Sequence, residues 1–281
     1  VEEPPAVTLA AAWFDAPVRP VRLTATPGHD GPTIAGLDGL AGADGTLLLL
    51  ADPFSLPVEA VLDRLATPAP GHGAVGLLLD PSVPVTTVVS QGCRPIGDPL
   101  TVTRSERNVL YELAGRPALE RLMSVVEALG DEERALAAQG LHIGRVIDEQ
   151  RDEFGRGDFL VRGVIGGDRE AGAGAVGDEV EVGATVQFQV RDAASADEDL
   201  RALMAARTAS GAGARGASGA LVFTCNGRGS RLFGTPDHDA SVISEALDGA
   251  PVAGMFCAGE IGPVGRRNFL HGFTASVALL G

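Results

Sequence analysis

The sequence predicts an α/β (α+β) protein made of two related subdomains, each a mixed β-sheet flanked by helices. A layered α-β-β-α stack is one way to assemble them. Three observations carry the prediction. Strand-like segments of period two alternate with segments of helical period, joined by both tight hairpin turns and longer crossovers, which points to mixed sheets and not to a purely parallel wound sheet. The order strand, polar turn, helix, Gly/Pro turn, strand occurs twice, over Thr46–Leu79 and Leu221–Cys257. The 281 residues, 45% hydrophobic, suffice for one large domain or two modest ones.

Along the chain, Val7–Phe14 and Val18–Thr24 read as extended. Thr46–Ala51 is a continuous apolar run bounded by turn residues, the pattern of a buried strand. Ser55–Leu65 places Leu56, Ala60, Val61 and Leu65 on one helical face, and Thr67–Gly73 is a Pro/Gly loop. Ala74–Leu79 and Val85–Ser90 read as a strand pair around Asp80-Pro-Ser82. Thr103-x-x-Glu106 has the form of a capping box for a helix that Gly115 would end. Pro117 would open the next helix, whose apolar face is Leu119, Leu122, Met123, Val126 and Leu129. A short helix over Asp131–Gln139 and a strand over Leu141–Ile147 follow. Phe159–Ile165 and Thr185–Val190 are half-buried strands, joined by the Gly-rich segment Gly166–Gly177. Ser195-x-x-Glu198 is a second capping box, ahead of a helix to about Arg207. After a small-residue loop over Ser210–Gly219, the sequence predicts strands at Leu221–Cys225, Val252–Cys257 and Phe269–Leu279, and a helix at Ala240–Leu247.

Composition excludes several functions. With 37 acidic and 22 basic residues the net charge is −15, which argues against phosphate-driven nucleic-acid binding and against anionic membrane surfaces. No apolar run approaches the roughly 20 residues of a membrane span. Every basic residue is Arg, so Schiff-base chemistry and a phosphate-loop lysine are ruled out within this chain. Three cysteines, Cys93, Cys225 and Cys257, are too few for a disulfide scaffold, and a cytoplasmic location is the default. No signal-peptide pattern is present, although a chain that starts with Val reads as trimmed. Metal-ligand pairs of the Cys-x-x-Cys or His-x-x-x-His kind are absent, so no metal and no cofactor is expected. His29, His72 and His238 read as solvated loop residues.

Four segments concentrate small, polar and special-backbone residues where packing alone would not. They are Val89-Ser-Gln-Gly-Cys-Arg-Pro-Ile-Gly97, Phe223-Thr-Cys-Asn-Gly-Arg-Gly229, Gly254-Met-Phe-Cys-Ala-Gly-Glu-Ile-Gly-Pro263 and Asn268-Phe-Leu-His-Gly-Phe-Thr-Ala-Ser276. All three cysteines fall at strand ends beside glycine and a charged residue, a common place for ligand sites. The candidate ligand-binding residues are Gln91, Cys93, Arg94, Cys225, Asn226, Arg228, Cys257, Glu260, Asn268 and His271. Each also has an ordinary reading. Free Cys is commonly core, Arg94 or Arg228 can form a structural ion pair with Glu260, His271 can be a hydrogen-bonded strand residue, and Asn226-Gly227 can be a plain turn.

In order and spacing these segments resemble the FIST family, named for F-box and intracellular signal transduction proteins. The resemblance is firm from about residue 85 onward. It implies that residues 1–97 are similar to an incomplete FIST N-terminal domain and residues 98–281 to a FIST C-terminal domain, with the joint after the Gln-Gly-Cys-Arg-Pro turn. It further implies a sensory module for small ligands, amino acids or related metabolites, that passes its state to a protein partner. On that reading Arg94 or Arg228 would take an α-carboxylate and Glu260 an α-ammonium group. Two other classes stay open. One is an enzyme, with Cys225 or Cys257 as nucleophile, His271 as base and the N–H groups after Gly227 or Gly259 as an oxyanion site. The other is an interaction scaffold with an exposed apolar patch.

Overall fold

The computed structural model describes residues 9–26, 33–36, 40, 43–52, 61, 74–209, 217–264 and 267–281. In chain order, β1 (Val18–Thr26), β2 (Thr33–Ala35), β3 (Thr46–Ala51) and β4 (Ala74–Leu79) form an antiparallel sheet ordered β2-β1-β4-β3. Next come β5 (Val85–Gln91), β6 (Cys93–Glu106), β7 (Val109–Leu113), β8 (Arg116–Pro117), the helices α1 (Ala118–Ala128) and α2 (Asp131–Gln139), and β9 (Leu141–Val146). They are followed by β10 (Phe159–Asp168), β11 (Ala173–Val176), β12 (Thr185–Arg191) and helix α3 (Ala193–Ala209). The last part holds β13 (Gly219–Cys225), α4 (Ser230–Phe233), α5 (His238–Ala246), β14 (Val252–Cys257), β15 (Glu260–Val264), β16 (Arg267–His271) and β17 (Thr274–Leu280).

Strand outweighs helix, and the fold is mixed α+β, mainly β with flanking helices. The middle sheet is seven-stranded, ordered β11-β10-β9-β12-β6-β7-β8, and β11 also pairs with β7, so the sheet curls back on itself. The C-terminal sheet is ordered β14-β13-β17-β5; only β13 and β14 run parallel. β5 therefore leaves the N-terminal part of the chain to become the far strand of the C-terminal sheet, and the turn at Gly92 carries the chain straight into β6 of the middle sheet. β6 runs unbroken through the 97/98 joint expected from sequence.

Four apolar clusters hold these layers. One fills the curled middle sheet beneath α1 and α2, with Val102, Leu113, Val186 and Val190 at its centre. A second lies between the C-terminal sheet and helices α3 and α5, where Val88, Val222, Val277 and Leu279 meet Leu200, Met204 and Ile243. A third joins the N-terminal sheet to the β15–β16 hairpin through Leu23, Val61 and Ala74 against Ile261 and Leu270. The fourth is small: Cys93, Val146, Phe159 and Val161, with Phe273 packed on it.

Several expectations are corrected. Thr103-x-x-Glu106 lies in β6 and pairs with β7, so no helix forms there: Val102, Leu110 and Leu113 enter the middle-sheet core, and that burial outweighs a local cap. β4 and β5 are not a pair, since β4 lies between β1 and β3 while β5 joins β17. Thr46–Ala51 is a strand but only half-buried, with Leu50 46% exposed. Phe269–Leu279 is broken by a turn at Gly272-Phe273, where Phe273 takes the left-handed φ of 63°. Helix α3 starts earlier than the Ser195 box, at Ala193, because Asp192 Oδ1 accepts the N–H groups of Ala194 and Ser195. Residues 9–14 are not in a strand, and Gly166–Gly177 includes the short β11. The two strand–helix–strand segments differ in pairing: β3 and β4 run antiparallel, β13 and β14 parallel. The predicted helix over Ser55–Leu65 (apart from Val61, helical and buried), the loop Thr67–Gly73, most of Ser210–Gly219, His29 and His72 lie outside the described residues.

Ile243 on α5 is fully buried against β13 and β17. Ile243→Ala should lower unfolding stability by about 2–5 kcal/mol in urea titration, whereas Met123→Ala, at a site 55% exposed, should stay within about 0.5 kcal/mol. Equal losses at both positions would show that this core is misassigned.

Candidate functional site

β13 and β14 end side by side at Cys225 and Cys257, which are register partners. The chain then turns sharply. Asn226 N donates to Cys257 O at 2.8 Å, and Arg228 N donates to Cys225 O at 2.8 Å. This turn folds the Arg228 side chain inward until the residue is 2% exposed. Its Nε and Nη2 donate to Asp239 Oδ2 and Oδ1 at 2.7 and 2.8 Å, a bidentate pair. Thr224 Oγ1 donates to the same carboxylate at 3.2 Å, and the Phe233 ring lies 5.2 Å from the guanidinium. Burial alone would push the Asp239 carboxyl up, but the hydrogen bonds and charge of Arg228 hold it below the usual range. His238 is not a solvated loop residue. It stacks on Phe233 at 3.6 Å between ring centroids and its Nε2 lies 2.9 Å from Asp197 Oδ1 on α3, because α5 begins there and packs against α3.

Beyond the strand ends lies a second buried group. Glu260 opens β15 and is 1% exposed. Its Oε2 accepts from Thr274 Oγ1 at 2.8 Å, while Oε1 has no hydrogen-bond partner among the described residues. Burial pushes its carboxyl up to about 8, against the pull of the Thr274 hydrogen bonds and the Arg228 charge. The thiols sense the same surroundings. Burial pushes Cys257 up to about 12, with Glu260 adding to the shift, and raises Cys225, also with Glu260. Burial likewise pushes Cys93 up to about 12. The hairpin can lie this close because of Gly262: a Cβ there would fall 2.5 Å from Val89 Cγ2 and 3.0 Å from Ser276 Oγ.

Of the residues singled out from sequence, Cys225, Asn226, Arg228, Cys257 and Glu260 gather at this end of the sheet. Arg94 does not join them: its Nε and Nη1 bond Asp192 and Glu133 at 2.7 and 2.9 Å. Gln91 Nε2 donates to Phe159 O at 3.1 Å, and its N–H donates to Asp199 Oδ2. Cys93 packs in the small apolar cluster. Asn268 is exposed on the hairpin opposite Pro263. His271 is buried with Nε2 bonded to Gly262 O at 3.0 Å, and burial lowers its pKa. Among the described residues no hydrogen bond joins His271 to a thiol, and no group of three or more His, Cys, Asp or Glu is arranged to hold a metal ion. Neither Asp239, His238, Thr224 nor Phe233 was singled out from sequence, though His and two Asp in Pro236-Asp-His-Asp239, separated by six residues from the end of a candidate segment, were a usable signal.

A cavity of about 1570 Å³ lies beside this arrangement. One end is polar, with Asn226, Arg228, Arg231, Asp237, His238 and Asp239. The rest is mostly apolar, with Leu48, Leu50, Val75 and Leu77 of the N-terminal sheet facing Leu221, Phe223 and Met255 of the C-terminal one.

The FIST C domain matches residues 118–263 and the FIST N domain residues 69–116. The chain belongs to the FIST family. FIST domains are sensory domains that bind small ligands. An uncharacterised protein of Mycobacterium bovis is 47% identical, with 83% of this chain and 66% of that protein covered. An uncharacterised protein of Mycobacterium tuberculosis is 48% identical, with 83% and 67% covered. The chain thus spans about two thirds of the length of these curated relatives. No helix among the described residues is long and apolar enough to cross a membrane.

In this FIST chain burial and neighbouring groups shift the titration of the groups at the strand ends, and two measurements check this. The Glu260 carboxyl ionises near 4.5 when unfolded and at about 8 when folded. The folded chain therefore keeps a proton that the unfolded chain loses, and the associated stability, full below pH 4.5, fades as pH rises through about 8. Wild type should accordingly lose stability relative to Glu260→Gln as pH rises across that window, measured by urea titration; a pH-independent difference would contradict the assignment. With Cys257 at about 12, iodoacetamide at neutral pH should label it on the order of a thousandfold more slowly in the native than in the unfolded chain. Fast native labelling of Cys225 or Cys257 would instead favour the nucleophile reading.

Proposed function

We propose that this chain is a small-ligand sensory module that takes an amino acid or related small metabolite in the cavity beside β14 and passes its occupancy to a protein partner. The observation that carries the reading is the cavity's polar end. It offers both signs of charge, Arg228 and Arg231 with Asp237 and Asp239, and Arg228 and Asp239 are already fixed by each other. A site ordered before the ligand arrives loses less side-chain entropy on binding. Because Asp239 fills the guanidinium fork, the carboxylate of a zwitterion has its best partners in Asn226 and Arg231, and its ammonium group faces the aspartates. Free thiols fit a reducing compartment such as the cytoplasm.

A thermal-shift screen against amino acids and common metabolites tests this. A ligand at about 100 times its dissociation constant should add about 2.7 kcal/mol and raise Tm by several degrees. The exposed side chains of Asn226 and Arg231 can be changed without disturbing the core, so Asn226→Leu and Arg231→Ala should abolish the shift while keeping the ligand-free Tm. A full panel with no hit, or a hit indifferent to both variants, would sink the assignment of this cavity.

A further inference from the structure

Strands β3 and β4 of the N-terminal sheet are apolar on both faces, while neighbouring β1 sets Arg22 beside Val75. Leu47, Leu49, Ala51, Ala74 and Leu78 pack into the cluster that includes Ile261 and Leu270. The residues between them alternate to the other face, where Leu48 pairs with Leu77 and Leu50 with Val75 across the strands. A sheet face left to water normally alternates to polar residues. Here Leu50, Val75 and Leu77 are 46%, 56% and 41% exposed, and Met255 on the opposing edge strand is 51% exposed. All four line the same cavity. Two apolar walls facing one another make a slot, not an isolated patch.

The slot's size and polarity narrow its occupant. Its volume of about 1570 Å³ exceeds the roughly 300–1,000 Å³ of ordinary small-molecule pockets. The wall formed by β14 from Val252 to Phe256 is about 13 Å long at the rise of a strand. Among the described residues that line the slot, charged groups stand only at the end where β13 and β14 finish. A free amino acid would occupy that end and leave the apolar walls wet.

We propose that the ligand is an amphipathic small molecule, a polar head of amino-acid size joined to an extended hydrocarbon chain, with the head at Asn226 and Arg231 and the chain between Leu50, Val75 and Leu77 on one side and Met255 on the other. The proposal rests on the reading of this cavity as the sensory site and adds the chemical class of what fills it. Each methylene moved from water into the slot strengthens binding, so chain length, not head charge, dominates affinity.

Isothermal titration with N-dodecanoylglycine and with N-acetylglycine, the head without the chain, tests it. The long-chain compound should bind at one site per chain and at least a hundredfold more tightly than the short one. Leu77→Asp and Met255→Asp, both at exposed positions, should weaken it at least tenfold with unchanged circular dichroism. Ile165→Asp, at an exposed apolar position outside the slot, should leave it unchanged. Equal affinity for the two compounds, or equal loss in Ile165→Asp, overturns the proposal. So does self-association of the chain that Leu77→Asp and Met255→Asp abolish, which would assign the slot to a second copy. If N-dodecanoylglycine fails but a free amino acid or metabolite binds in an Asn226-dependent way, only the long-chain class falls. If nothing binds, the cavity reading falls with it.

Discussion

A buried arginine is the constraint around which the C-terminal half is arranged. Arg228 has 1% of its side chain exposed, and an isolated charge in that position would cost several kcal/mol. Asp239 offsets the cost by occupying two of the guanidinium's nitrogens. To do so it must sit in the first turn of α5, where the helix dipole also favours a carboxylate. The pair therefore fixes the start of α5 relative to the turn after β13. Its net contribution to stability is small by comparison, because the attraction mainly repays desolvation. Removing either partner alone would cost about 3–5 kcal/mol. The pair is better understood as a positional clamp than as a source of stability.

A second constraint holds the strand ends to the middle sheet. Gly92 joins β5 to β6 and donates its N–H to Phe273 O at 2.8 Å, and a Cβ there would fall 2.4 Å from that oxygen. Phe273 accepts a left-handed backbone, unusual for a bulky residue. In exchange its ring packs on the small apolar cluster and edge-on to His142 at 4.2 Å between centroids. Burial, then the nearby Arg191 charge, pushes His142 down to about 4, so it packs as a neutral ring. Arg191 in turn donates to Gly227 O in the turn that carries Arg228. The turn that aims Arg228 is thus braced from the middle sheet.

What could be read from the sequence followed how local the cause was. Strands β9, β10, β12, β13 and β14, and helices α1, α2 and α5, are written in periodicity and in Gly or Pro punctuation within each segment. Thr103-x-x-Glu106 misled because a capping box is a local signal, while the strand is chosen by Val102, Leu110 and Leu113 meeting residues far along the chain. Arg94 looked like a free carboxylate fork for the same reason: its partners Glu133 and Asp192 lie 39 and 98 residues away. The run Leu47–Leu50 concealed the slot, since leucine on both faces reads as a doubly buried strand and nothing local tells which face lacks a cover. The Cys-Asn-Gly-Arg and Cys-Ala-Gly-Glu segments were legible as neighbours because both strand ends carry their polar groups within four residues. Their distant partner Asp239 was not.

Arg228 belongs to both halves of this arrangement. It lines the cavity, and its charge also pulls the Glu260 carboxyl down from where burial alone would leave it. Asp239 lines the cavity as well and holds two of the three guanidinium nitrogens. Any occupant that draws on Asp239 changes how much of the Arg228 charge remains for Glu260. Burial and Arg228 act on Glu260 in opposite directions, so the balance between them sets its proton occupancy. Glu260 starts the hairpin whose Ile261 and Leu270 pack against the N-terminal sheet, and that same sheet supplies the cavity's outer wall on its other face. The wall and the ion pair line one cavity, and the arginine of that pair reaches the buried carboxyl through its charge.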